Sequence, residues 1–136
     1  MKNDNCIFCK LANGDIPTNS IYEDETFNVI LDNGPANLGH ALILPKDHSA
    51  NLFETPDETL GKAMILAKKV AGRLKDKLEC DGVNLVQNNG AAAGQTVEHF
   101  HLHVIPRYNN DGQVMGWKPT EPEDDKLRDV CKQLKF

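Results

Sequence analysis

The chain has 136 residues, 40% of them hydrophobic, enough to bury a core without disulfide staples. No apolar run approaches the ~20 residues that cross a bilayer, and a formal charge of −5 lacks the Lys and Arg density with which proteins grip nucleic-acid backbones. A membrane protein and a general nucleic-acid binder are therefore set aside. One domain over residues 1–136 is expected, and since residues 1–10 carry neither the basic start nor the apolar middle of an export signal, so is a cytoplasmic address.

In chain order, the first chemical signal is Cys6-Ile7-Phe8-Cys9, which contains two of the four cysteines. In a reducing compartment this spacing reads as a metal or redox site before it reads as disulfide framework. As a zinc half-site it needs two more ligands, which His48 and His99 could supply to complete a tetrahedral Cys2His2 centre. A redox pair, which would need a strand before it and a βαβ context, and unligated thiols are the competing readings.

Phe27–Leu31 reads as a strand, and after the turn-rich residues 32–39 so does Ala41–Leu44, closed by Pro45. Thr55-Pro56-Asp57-Glu58 joins an N-cap, a proline at the first helical position and a glutamate placed for a capping box. From there Leu60, Ala63, Met64, Ala67, Ala71, Leu74 and Leu78 recur at spacings of three and four, predicting a helix of about six turns. Ile65, Leu66 and Val70 widen its apolar surface beyond one stripe, which predicts a symmetric homodimer burying the excess. Val83–Val86 is a third strand and Phe100–Ile105 a fourth. Thr120 with Glu123 offers a second capping box, before a short amphipathic helix marked by Leu127, Val130, Cys131 and Leu134. Strands packed on one long helix predict an α+β fold.

Three of the five histidines stand in His99-Phe100-His101-Leu102-His103-Val104. A strand period of two puts the imidazoles on one face and Phe100, Leu102 and Val104 on the other. Imidazole titrates near neutrality, acts as a nucleophile and binds transition metals, so an aligned set points to chemistry rather than packing. Just upstream, residues 88–96 are rich in Asn, Gly and Ala. Small residues let backbone N–H groups converge on an anion, and Asn88, Gln95 and Thr96 add neutral donors.

With these residues in view, H-F-H-L-H-V-I preceded by G-Q-T-V-E resembles the signature of the histidine-triad family. The likeness extends over nearly the whole chain, taking in C-I-F-C-K, Asp32 in I-L-D, His40 in G-H-A-L-I-L-P-K-D-H, and N-N-G before the triad. It implies an antiparallel sheet packed against one long helix plus a short C-terminal helix, a homodimer, and a purine nucleotide substrate. It makes His101 the nucleophile that forms a nucleotidyl-histidine, with His103 at the phosphate and Thr96 beside it. Asn88, Gly94, Gln95 and Thr96 would hold phosphoryl oxygens or the leaving group, and Asp32 the ribose hydroxyls. Ile7, Phe8, Leu11 and Ile30 would line the base pocket. The resemblance also favours structural zinc on Cys6, Cys9, His48 and His99, as in a bacterial-type branch of the family, and leaves His40 accessory.

The implied reaction is hydrolysis of AMP–X conjugates such as nucleoside phosphoramidates. The alternatives are hydrolysis of dinucleoside polyphosphates, a zinc hydrolase whose triad histidines hold a catalytic metal, and a nucleotide-binding interaction protein with vestigial catalysis. The run Ala91-Ala92-Ala93 brings no side chain that would recognise a leaving group.

Overall fold

Alternating and continuous apolar runs resolve into a five-stranded sheet in a computed structural model that describes residues 1–136. Its strands are β1 (Ser20–Glu23), β2 (Phe27–Leu31), β3 (Ala41–Pro45), β4 (Gly82–Val86) and β5 (Leu102–Arg107), in the order β1-β2-β3-β5-β4. Every neighbouring pair is antiparallel. The helices are α1 (Ile7–Ala12), α2 (Asp57–Leu78) and α3 (Asp124–Leu134), with one 3-10 turn at Ala91–Ala93. The α+β architecture is as expected.

The register decides which side chains meet. Val29 lies opposite Ile43, Ile43 opposite Leu102, and Ala41 opposite Val104, and all of these turn toward α2. Ile30, Leu42 and Leu44 fall on the other face, where α1 closes a smaller cluster with Phe8 and Leu11. His103 stands opposite Leu42, so it shares that second face. One side of the sheet is therefore core, and the other carries the histidines.

Four sequence expectations change in detail. The inward stripe of α2 is Ala63, Leu66, Ala67, Val70 and Leu74, whereas Met64 is exposed. Leu66 and Val70 thus belong to the chain's own core, where each buried side chain contributes ~1.5–3 kcal/mol, and they are not surplus surface for a partner. Neither capping box forms. Thr55 instead donates to the Asn51 carbonyl and pairs with Ser49 Oγ at 2.7 Å, leaving Pro56 at the N-cap of α2. Glu123, not Thr120, caps α3, with no side-chain bond. Finally, β3 runs through Pro45 and β5 begins only at Leu102, so His99 and His101 precede the ladder.

Gly39, just before His40, shows how tightly α2 abuts the site. Its φ is +100°, and a Cβ there would lie 2.4 Å from Leu78 Cδ1. Positive φ is strained for any L side chain and the contact adds overlap. Gly39→Ala is expected to destabilise by ~1–3 kcal/mol; an unchanged denaturant midpoint would contradict this reading of the turn.

Candidate functional site

The chain brings its histidines together from separate segments. His99 and His101 arrive on the extended approach to β5, His103 lies within it, and His40 immediately precedes β3. His48 follows β3 in sequence.

Hydrogen bonds to groups that only accept or only donate fix the tautomers. His99 Nε2 is 2.8 Å from the Pro45 carbonyl and must donate to it, which leaves its Nδ1 lone pair facing Cys6 Sγ and Cys9 Sγ, each at 3.4 Å. His48 Nδ1 is also 3.4 Å from Cys9 Sγ. The four ligand atoms of Cys6, Cys9, His48 and His99 all lie within 4.8 Å of one another. Backbone N–H groups already point at the sulfurs, from Cys9 to Cys6 Sγ at 3.3 Å and from Asn3 to Cys9 Sγ at 3.4 Å. This donor set fits zinc: two sulfurs that accept N–H donors, and an imidazole oriented by a carbonyl behind it. Burial pushes the His99 imidazole down to about 4 and keeps it neutral, while burial raises the Cys9 thiol.

His101 Nδ1 is 2.7 Å from the His99 carbonyl and must likewise donate. Its Nε2 therefore carries the lone pair. The ring is buried, with Phe8 standing edge-on at 4.9 Å between centroids, and burial lowers its proton affinity.

His40 and His103 form a directed pair. The Ala36 N–H donates to His40 Nδ1 at 3.0 Å, so the proton of neutral His40 sits on Nε2. That Nε2–H faces His103 Nδ1 at 2.9 Å, which in turn puts the His103 proton on Nε2. Asp32 Oδ2 stands 3.7 Å from His40 Nε2, and Asp32 Oδ1 accepts from Gly34 N–H at 2.8 Å. Asp32, His40 and His103 are spaced closely enough to hold a cation. However, a metal on His40 Nε2 would force the proton onto Nδ1, against the Ala36 N–H. The geometry favours a hydrogen-bond chain over a second metal.

Burial pushes His103 down to about 4, with His101 and His40 adding to the effect, and burial also lowers His40 against the pull of Asp32. Both are depressed from an ordinary value near 6.5, so the unfolded chain takes up protons first. Their contribution to stability is complete above about pH 6.5 and is lost as pH falls toward about 4. The melting temperature should drop across that window, less steeply in a His103→Gln variant; parallel profiles for the two proteins would contradict the assignment.

Beside these rings, Phe8, Leu11, Ile30 and Leu42 line a hollow of about 460 Å³ whose polar rim includes Asp32 and Asn19. Ile7, expected there, does not line the hollow and is exposed. Phe8 and Leu11 are i and i+3 on one helical face, and Ile7 lies one residue step, about 100°, away from Phe8. Thr96 is exposed and shares a shallow depression with Cys6, Ile7 and His48, on the cysteine side. Asn88 sits beside Gly94, where a Cβ would be 3.6 Å from its Nδ2 and φ is +92°. The Gln95 amide is engaged within the chain, donating to the Ala50 and Val97 carbonyls and accepting from Gly90 N–H. Gln95 therefore braces the loop, and its side chain offers no unused N–H to a phosphate, contrary to expectation.

The HIT domain profile matches residues 13–110. An uncharacterized HIT-like protein of Methanocaldococcus jannaschii is 46% identical over 130 residues, covering 96% of this chain and 98% of that protein. An adenosine 5'-monophosphoramidase of Saccharomyces cerevisiae is 42% identical over 130 residues, covering 95% and 80%. The crystal structure of a zinc-bound histidine triad family protein from Mycobacterium smegmatis superposes with a TM-score of 0.77 at 40% identity, covering 95% and 94% of the two chains.

Proposed function

We propose, from the premise that the chain belongs to the HIT domain family, that it hydrolyses AMP–X conjugates through a covalent nucleotidyl-histidine at His101. The observation that carries this is the bond from His101 Nδ1–H to the His99 carbonyl. It leaves a neutral Nε2 lone pair available for attack with no base required. The relationship to an enzyme described as an adenosine 5'-monophosphoramidase supports the substrate class.

In this reading the Nε2–phosphorus bond forms as the bond from phosphorus to X breaks, and water then cleaves the nucleotidyl-histidine to release AMP. His103 Nε2–H donates to a phosphoryl oxygen as charge develops, oriented through Nδ1 by His40. Such fixed donors need no reorganisation during the reaction. Gly94 and Asn88 bound the phosphate side, and Thr96 approaches the leaving group from the cysteine side. Phe8, Leu11 and Ile30 hold a purine, and the free lone pairs of Asp32 accept from the ribose hydroxyls. Cys6, Cys9, His48 and His99 would hold a structural zinc, which would cross-link the N-terminal turn to the triad segment.

The chain acts as a single domain in the cytoplasm, without nucleic-acid or membrane partners, and as a homodimer. Support for the dimer now comes from Met64 and Ile65 on α2 beside Val83 and Leu85 on the edge strand β4, a mostly apolar hollow. An edge strand also offers unpaired backbone groups to a second copy.

Denaturing mass spectrometry after rapid mixing with an AMP amine conjugate should find one nucleotidyl group on the peptide containing His101. Turnover with no adduct at any mixing time would overturn the mechanism. Running diadenosine polyphosphate in parallel separates the closest alternative, because the nucleophile is shared and only the leaving group differs.

A further inference from the structure

α1 stands between two sites. Its Cys9 belongs to the cluster with Cys6, His48 and His99, and one residue earlier Phe8 walls the base hollow and meets the His101 ring. Phe8 also stands edge-on to His99, at 6.2 Å between centroids. A helix of 6 residues does not persist alone in water. Whatever fastens α1 therefore decides where Phe8 sits.

The two ends of α1 are fastened by different means. At the C-terminal end the Asn13 amide donates to the Lys46 carbonyl at 3.0 Å, and buried Asn28 of β2 donates to the Leu11 and Ala12 carbonyls at 3.4 Å each. No cysteine takes part in these ties. At the N-terminal end Cys6 and Cys9 reach His99 and His48 through sulfur–imidazole contacts of 3.4 Å. The other polar ties of residues 1–8 to the rest of the chain are one bond from the His48 N–H to the Met1 carbonyl, and ion pairs of the Met1 ammonium with Asp47 and of Lys2 with Asp15. Surface ion pairs add little, whereas zinc on the four ligands would replace weak sulfur contacts with coordinate bonds.

We propose that α1 is hinged at Asn13 and Asn28 and latched by the metal centre, so that zinc and the nucleotide base bind cooperatively through Phe8. With the latch closed, Phe8 is held in place against the base. With it open, the first turn of α1 frays, and the base must order that turn as it binds. Linkage is reciprocal, so the nucleotide tightens the metal by the factor with which the metal tightens the nucleotide. The bond from His99 Nε2 to the Pro45 carbonyl involves no cysteine and still holds the triad segment. The coupling thus acts on nucleotide affinity and leaves kcat alone. The proposal rests on the reading of the hollow as the base site and of the cluster as a zinc site.

The test times metal release from the zinc-loaded full chain into an excess of chromophoric chelator, and so needs no folded metal-free chain. Saturating AMP should slow release about tenfold. Saturating ribose 5-phosphate, which lacks the base, should slow it less than about twofold, and so should AMP with Phe8→Ala. Calorimetry of the loaded chain establishes AMP binding independently. AMP that binds yet leaves release unchanged overturns the coupling and leaves the proposed function standing. Equal slowing by ribose 5-phosphate, or an undiminished AMP effect in Phe8→Ala, overturns the role of Phe8. A chain that takes up no zinc overturns the proposal together with the metal reading, and a loaded chain that does not bind AMP overturns it together with the base site.

Discussion

His101→Ala should lower kcat at least about a hundredfold while the nucleotide Kd stays within about tenfold. The reasoning follows from what the side chain touches. Its Nδ1–H is held by the His99 carbonyl and one ring face meets Phe8, so the alanine removes the bond-forming nitrogen but leaves the base hollow, Asp32 and the His40–His103 chain intact. Ground-state contacts survive and the transition-state bond does not. Single-turnover kinetics and equilibrium titration with a non-hydrolysable AMP analogue separate the two quantities. A variant that kept more than about a hundredth of the wild-type kcat would retain more than loss of a nucleophile normally permits.

Cys9→Ser is the second large effect and acts through a different quantity. Cys9 is buried at 0% exposure, and its sulfur meets both His48 Nδ1 and His99 Nδ1. Serine lacks the thiolate that a zinc centre requires, and a metal that binds only the folded chain contributes its binding free energy to folding. Wild type purified without chelator should carry close to one zinc per chain. The variant should carry far less and melt well below it, while the molecules that remain folded keep most of their intrinsic kcat. Atomic absorption, thermal melts and active-site titration measure the three effects. A metal-poor wild type would defeat the binding reading. A folded variant without turnover would revive metal-assisted cleavage.

Much of this was legible because chemistry-bearing residues repeat with the period of the backbone. Short apolar runs mark β2, β3 and β4, and alternation with the H-x-H-x-H spacing marks β5 and the histidine segment leading into it. What the sequence hid was hidden for physical reasons. β1 is exposed along its whole length and therefore shows no polar–apolar contrast. α1 has only 6 residues, too few for a helical period to emerge. Thr55 carried the pattern of a cap, but its hydroxyl found Asn51 and Ser49 instead, a tertiary choice that local spacing cannot encode. The sequence around His40 shows no task for it because its partner, His103, lies 63 residues away.

The departure of His99 and His101 from the sheet ladder has a consequence for anyone transplanting this motif. In a regular strand, side chains rise from the sheet while carbonyls point sideways within it, so an imidazole does not reach the carbonyl two residues back. Here the chain frays before β5 begins, and that irregularity is what brings the ring to the carbonyl at 2.7 Å. Three histidines grafted into the middle of a well-formed strand of another scaffold would align on one side yet leave the central ring free to exchange tautomers. A graft that copies the frayed end along with the letters is the one expected to present Nε2 uniformly as the reactive atom.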